Sequence, residues 1–347
     1  MPRKEKSVEL ALRPLVRHWS KLACTNYIHD FSWSPNGCHV ATADASGYVS
    51  IHSVNTGELI EQWMAHTLGA LRVRYSPSGK FMASSGQDGK AHVYDGTTFK
   101  KLATIDHGDS WVEHIAWHHN SDWILTAAGK QLKLSGVDGG LIRQFEDHKS
   151  TIADVSWNPV ASDLFATSSY NGACLWNLKQ TSRMRFFEWK GSLLNIAYSP
   201  NGKILAAGCQ DGAVHIWLLP GGEDLFMNGY PTKVRELSWD SSSRYLATGG
   251  GAEVIVWDFS GKGPSGSKPM VFPGHEGFIS VLAFAPKGVK LASGGNDGRV
   301  MVWDLKERDV VLLSEDDSQV SNLVWNMDGT QLAGTFASGR VAIFDLS

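Results

Sequence analysis

The sequence has few cysteines, no surplus of either charge and no long apolar run. Cys24, Cys38, Cys174 and Cys209 are scattered along 347 residues and form no CxxC pair. They read as buried free thiols, which fits a reducing compartment. Thirty-two Lys and Arg face 35 Asp and Glu, for a net charge of −3. That balance gives no global pull toward nucleic acid or an anionic membrane. The apolar runs are too short to span a bilayer. The basic start, "MPRKEKSVELALRPL", lacks the apolar stretch of a secretory signal. The expectation is a cytoplasmic protein, with the nucleus as alternative, that binds neither nucleic acid directly nor membrane. Abundant instead are 36 Gly and 14 Trp, and 42% of the chain is apolar. That suits a large core with many turns.

An aromatic residue recurs at Trp33, Tyr75, Trp117, Trp157, Tyr198, Trp239, Phe284 and Trp325, at spacings of 42, 42, 40, 41, 41, 45 and 41 residues. Each closes a stretch reading apolar-x-x-apolar-x-aromatic, such as "VEHIAW" or "ISVLAF". A second anchor follows 18 or 19 residues later: His52, Tyr94, Ser135, Trp176, Trp217, Trp257, Trp303 and Phe344. Between the anchors most copies carry a Gly turn, as in "LASGGNDGRVMVWDL". Such turns need positive φ, which Gly and Asn or Asp supply. A fourth run, such as "KKLATI" or "DVVLL", bridges to the next copy.

Eight copies of a four-stranded antiparallel unit at one period resemble the WD-repeat β-propeller family. The resemblance covers nearly the whole chain. It implies an all-β, closed β-propeller of eight four-stranded antiparallel blades, with seven as the alternative count. A unit with two apolar faces must pack between neighbours, and a closed ring leaves neither face bare. The last copy has three strands, whereas "PLVRHWSKL" (14–22) precedes the first inner strand. The N-terminal segment is therefore expected to supply the outer strand of the last blade. Residues 1–13 read as a tail and 14–347 as one propeller.

The motifs that suggest chemistry have plainer readings. His275, Ser293, Asp297 and Trp303 fall where the family builds a structural chain of hydrogen bonds, Asp to His to Ser to Trp. The set partly recurs as His66, Ser84, Asp88 and Tyr94, and as His148, Thr167, Asn171 and Trp176. Catalysis needs one site, whereas a packing device recurs with the repeat. In other blades the His slot holds Cys24, Trp189, Tyr230 or Asp316, which implies reliance on apolar packing there. His114 and His118 sit four apart on a predicted strand, which is not a ligand spacing for that element. "GGGAEV" (249–254) lacks the Lys and helix of a phosphate loop. No catalytic residue, metal ligand or cofactor site is assigned.

The surface remains. The family's rim joins the strand entrances to the second-to-third-strand turns. The partner-binding candidates there are Tyr27, His29, Trp111, Glu113, Tyr170, Lys233, Arg235, Phe278 and Gln319. Aromatics beside Lys and Arg have the composition of interaction hot spots. "SEDDSQ" (314–319) adds acids that face either a basic partner or solvent. The expected function is a non-catalytic scaffold or adaptor, gripping a protein or peptide through one rim and the central opening, within a larger assembly. The rival is an enzyme with a small polar site at the ring centre, whose mark would be His and carboxylates converging on the channel. A third reading is a reader of basic, histone-like peptides.

Overall fold

A computed structural model describes residues 11–12, 16–17, 26–219, 221–261 and 263–347. Strands form eight separate sheets, one per sequence repeat, with the strands of each repeat antiparallel. The inner strands of blades one to four are Ile28–Trp33, Ala70–Tyr75, Val112–Trp117 and Ile152–Trp157. Those of blades five to eight are Ala197–Tyr198, Leu237–Trp239, Ile279–Phe284 and Val320–Trp325. In blade four the second and third strands run together as Leu164–Asn177, turned at Asn171 and Gly172, both at positive φ. Trp176 Nε1 donates to Thr167 Oγ1 at 2.9 Å, so this segment folds back on itself. Nine extended residues would set those groups about 30 Å apart. The eight-blade count expected from the repeat is observed.

The core lies between the blades. Each of the eight blade–blade junctions has its own apolar cluster. The seam between blades eight and one is as complete as the rest: Ala333, Val341 and Ile343 pack against Phe31, Trp33 and Val40. Where the first anchor is Trp33, Trp117, Trp157 or Trp325, its indole also crosses the junction by hydrogen bond. The indole N–H of Trp33 donates to Val324 O at 2.9 Å, that of Trp117 to Arg74 O at 3.0 Å and that of Trp325 to Ala283 O at 2.9 Å. Each of these four Trp therefore fills the core and satisfies a carbonyl of the preceding blade, whereas Trp239 Nε1 finds no partner among the described residues.

The ring closes as expected. A short strand, β2 (Val16–Arg17), pairs antiparallel with the last strand of blade eight through Phe344 and Ile343. A second short strand, β1 (Ala11–Leu12), lies within the segment read as a tail. It pairs in parallel with Val311 and Leu312 on the outer edge of blade seven. The N-terminal segment thus touches two successive blades. The turn glycines are sterically required; at Gly298 (φ 75°) an added Cβ would run into the Asp316 carbonyl. Cys174 and Cys209 are buried free thiols, whereas Cys38 is exposed, contrary to expectation; Cys24 lies outside the described residues.

Candidate functional site

Six inner strands carry a register shift at one shared position, between Ile28 and Asp30, Ala70 and Arg72, Val112 and His114, Ile152 and Asp154, Ile279 and Val281, and Val320 and Asn322. The skipped residues are His29, Leu71, Glu113, Ala153, Ser280 and Ser321. A bulge breaks the alternation of faces. The position after the first apolar residue is therefore released from the ladder, and in blades two to four the next one also reaches the channel, whereas Val281 of blade seven stays packed on the core. This is the structural meaning of the two successive variable positions in the repeat.

Blades one to six use these positions to build a cavity of about 620 Å³ at the channel mouth. His29, Leu71, Trp111, Glu113, Ala153, Leu194 and Arg235 line it, with Gln87 from a second-to-third-strand turn. Of the predicted rim residues, His29, Trp111, Glu113 and Arg235 are brought together. Tyr27, Tyr170, Lys233, Phe278 and Gln319 are exposed but outside the lining. Tyr27 packs its ring edge-on to His29, with centroids 5.2 Å apart. Trp111 is 51% exposed, Phe278 52% and Tyr27 38%, so none of the three is wedged into a blade junction.

One position deeper lie Arg72, His114, Asp154 and Asn195, of which the sequence reading missed Arg72, Asp154 and Asn195. Asp154 accepts backbone N–H groups from Val155 at 2.8 Å and from Ile196, across the blade junction, at 3.0 Å. Asp30 does the same for Val73 N at 2.9 Å and pairs with Arg74. These carboxylates are bound into the ring. Asn195 accepts Gly208 N–H at 2.7 Å and donates to Arg235 O. Its amide replaces ladder bonds where the inner strands of blades five and six shrink to two and three residues. Lys233 and Arg235 therefore sit on an irregular segment rather than a regular strand entrance.

Burial and the neighbouring Arg72 lower the pKa of His29; burial, then Arg72 and Arg74, takes His114 down to about 3. Both imidazoles are neutral at pH 7. Burial raises the pKa of Glu113 and of Asp154, with Arg72 opposing it in each case. His114 Nδ1 stands 3.6 Å from Asp154. His and carboxylate groups thus do converge on the channel, more than the sequence suggested. The lining holds no Ser, Thr, Cys, Tyr or Lys, so this cavity offers no side-chain nucleophile of those kinds.

The recurrent Ser–His–Asp sets lie in the blades, away from this cavity. In blade seven His275 Nδ1 faces Asp297 at 3.1 Å, Ser293 Oγ bonds His275 Nε2 at 2.8 Å, and Trp303 Nε1 donates to Ser293 Oγ at 2.8 Å. Ser293 is fully buried. Blade two repeats the chain as Asp88–His66 at 2.8 Å, His66–Ser84 at 2.9 Å and Ser84–Tyr94 at 3.2 Å. Blade four is shorter: His148 bonds Thr167 at 2.7 Å, and Asn171 is spent on the turn. Blade three holds an unforeseen pair, His107 and Thr126 at 2.8 Å. Apolar packing is not the rule elsewhere. In blade six Trp257 Nε1 donates to Tyr230 Oη at 2.8 Å, and Tyr230 bonds Thr248 at 2.7 Å. In blade eight Asp316 pairs with Arg340. Blade five does use aromatic packing, with Trp189 edge-on to His215 at 4.6 Å.

Two further features are internally committed. His66, Asp88 and His92 offer ligand atoms within 4.8 Å of one another. Both nitrogens of His66 already hold Asp88 and Ser84, and His92 Nδ1 bonds Thr104 at 3.0 Å. A cation there would have to break the blade's own chain. On the acidic stretch 314–319, Glu315 pairs with Arg299 at 2.9 Å and Asp316 with Arg340.

The comparisons fit this architecture. The family model described as "WD domain, G-beta repeat" matches residues 182–217, 225–258 and 266–304. A second, "Eukaryotic translation initiation factor eIF2A", matches residues 15–140. The chain is 23% identical over 248 residues to the B-type cell cycle switch protein ccs52B of Medicago truncatula, covering 68% of this chain and 50% of that protein. It is 21% identical over 303 residues to the serine-threonine kinase receptor-associated protein of Dictyostelium discoideum, covering 81% and 98%. Against most of the curated relatives it matches, the chain spans about half their length or less. The crystal structure of the computationally designed Ika8 protein superposes with a TM-score of 0.79 at 19% identity, covering 93% of this chain and 97% of that one. Repeat, blade count and junction chemistry agree with these matches: the chain is an eight-bladed β-propeller, and three of its stretches, 182–217, 225–258 and 266–304, are similar to the WD repeat.

Proposed function

We propose that this protein is a non-catalytic scaffold that grips a protein or peptide partner at the channel mouth and its surrounding rim. One observation carries the reading. Exposed Trp111 stands at the wall of a polar cavity of about 620 Å³, with exposed Phe278 and Tyr27 on the same rim and Arg235 in the lining. Aromatic and Arg side chains clustered around a concavity are the usual anchors of a binding surface. The names of two relatives, a cell cycle switch protein and a kinase receptor-associated protein, fit regulation by association. A role within a larger assembly follows from the same reading. The catalytic alternative draws support from the His114–Asp154 approach, but a cavity whose lining has no nucleophilic hydroxyl or thiol favours binding.

The test is site-specific photo-crosslinking. A photoreactive residue in place of Phe278 should trap a discrete partner in cells. The same residue in place of Lys287, which is exposed in the turn after the first strand of blade seven, should not. Crosslinks from position 287 alone would place the working surface on the opposite rim.

A further inference from the structure

The charged groups of the channel mouth do not cancel one another. Asp30 and Asp154 are held by backbone amides across blade junctions, and Asp30 also holds Arg74. His29 and His114 are neutral at pH 7. Arg72 is left. It is only partly exposed, it lines the cavity, and among the described residues it has no ion-pair partner. Arg235, also in the lining, and Lys233 beside it are likewise unpaired among the described residues. Glu113 is the one lining carboxylate without a structural hydrogen bond. Three uncommitted cations thus stand against one uncommitted carboxylate.

A guanidinium kept partly out of water and left unpaired is costly, and a carboxylate bound to it in the fork geometry recovers that cost. The remaining walls are apolar: Trp111, Leu71 and Leu194. From this we infer that the channel mouth receives the side-chain carboxylate of an acidic peptide, seated on Arg72, with apolar neighbours of that residue against Trp111 and Leu194. The inference rests on the channel mouth being the binding face, and it names the chemistry that this face selects. Glu113 is placed to accept a backbone N–H of the same peptide and to repel a second carboxylate, so a single acid between apolar residues fits better than an acidic run.

The experiment uses the full chain and two peptides with acetylated and amidated ends, Gly-Leu-Glu-Leu-Gly and Gly-Leu-Gln-Leu-Gly. Binding is followed by calorimetry at low salt. The expected result is at least tenfold tighter binding of the Glu peptide. Arg72→Gln should abolish that difference, and Arg72→Lys should keep part of it, with thermal midpoints checked for all three proteins. Equal binding of the two peptides by the unaltered protein overturns the inference, as does no binding of either. If both peptides bind equally and Trp111→Ala weakens both, the binding face is right and the acidic preference is wrong. If the Gln peptide with a free C-terminus binds as tightly as the blocked Glu peptide, the site reads a chain terminus and the side-chain assignment fails.

Discussion

Ser293 takes an indole N–H from Trp303 and faces a buried imidazole, with no path to solvent. Removing either polar member strands its partner inside the blade. Ser293→Ala and His275→Ala are each expected to lower stability by about 1–3 kcal/mol. Denaturant titration gives the change, and partner binding should be retained by the fraction that stays folded. Acid should act through the same layer. Burial takes the pKa values of His92, His107 and His148 from 6.5 to about 4, and Nδ1 of His107 has no partner among the described residues. The unfolded chain therefore takes up these protons first, near pH 6.5, while the folded protein resists until about pH 4. Stability is complete above pH 6.5 and falls as the pH drops toward 4, at a rate near 1.4 kcal/mol per unit for each histidine. A thermal midpoint that stays flat between pH 7 and pH 4.5 would contradict this. The blade-seven chain was legible because four residues matched a known spacing. Tyr230 and Asp316 were misread as apolar-packed because a one-dimensional slot does not show which hydroxyl or guanidinium reaches it. Arg72 and Asp154 were missed for another reason: the spacing shows two variable positions in each inner strand but not the bulge that lets the second of them reach the channel.

At the scale of elements, the inner strands were legible wherever the apolar-x-x-apolar-x-aromatic pattern and a regular ladder coincide. Blades five and six keep the pattern but not the ladder. There Asn195 substitutes its amide for backbone groups, and Val234 N–H donates to Cys209 O of blade five at 3.1 Å. Nothing in the spacing announces such a side-chain substitution. The closing strand was legible from a strand count alone, because blade eight lacked one and the N-terminus had one to spare. The pairing of β1 with blade seven was not, since two residues carry no period. Deleting residues 1–24 removes both β1 and β2. The outer edges of blades seven and eight then lose their covering strands, and bare edges invite pairing with other chains. The truncated protein should melt several degrees lower and show oligomers by light scattering. A monomer with an unchanged midpoint would show that the ring closes without this segment.

For the whole molecule, eight junctions with eight apolar clusters make the ring a continuous core, and the proposed binding role lies on its surface. That separation is the central claim, and affinity measured beside stability tests it most directly. Trp111 and Arg235 are both exposed at the channel mouth, while Lys287 and Met327 are exposed in the turns after the first strands of blades seven and eight. With the partner trapped by crosslinking in hand, its affinity is measured for the unaltered protein and two double variants. Trp111→Ala with Arg235→Ala should weaken binding well over tenfold, since such anchors contribute about 2 kcal/mol or more each. Its thermal midpoint should hardly move, because no buried polar group is stranded. Lys287→Ala with Met327→Ala should change neither quantity. Full affinity in the first pair and loss in the second would contradict the account.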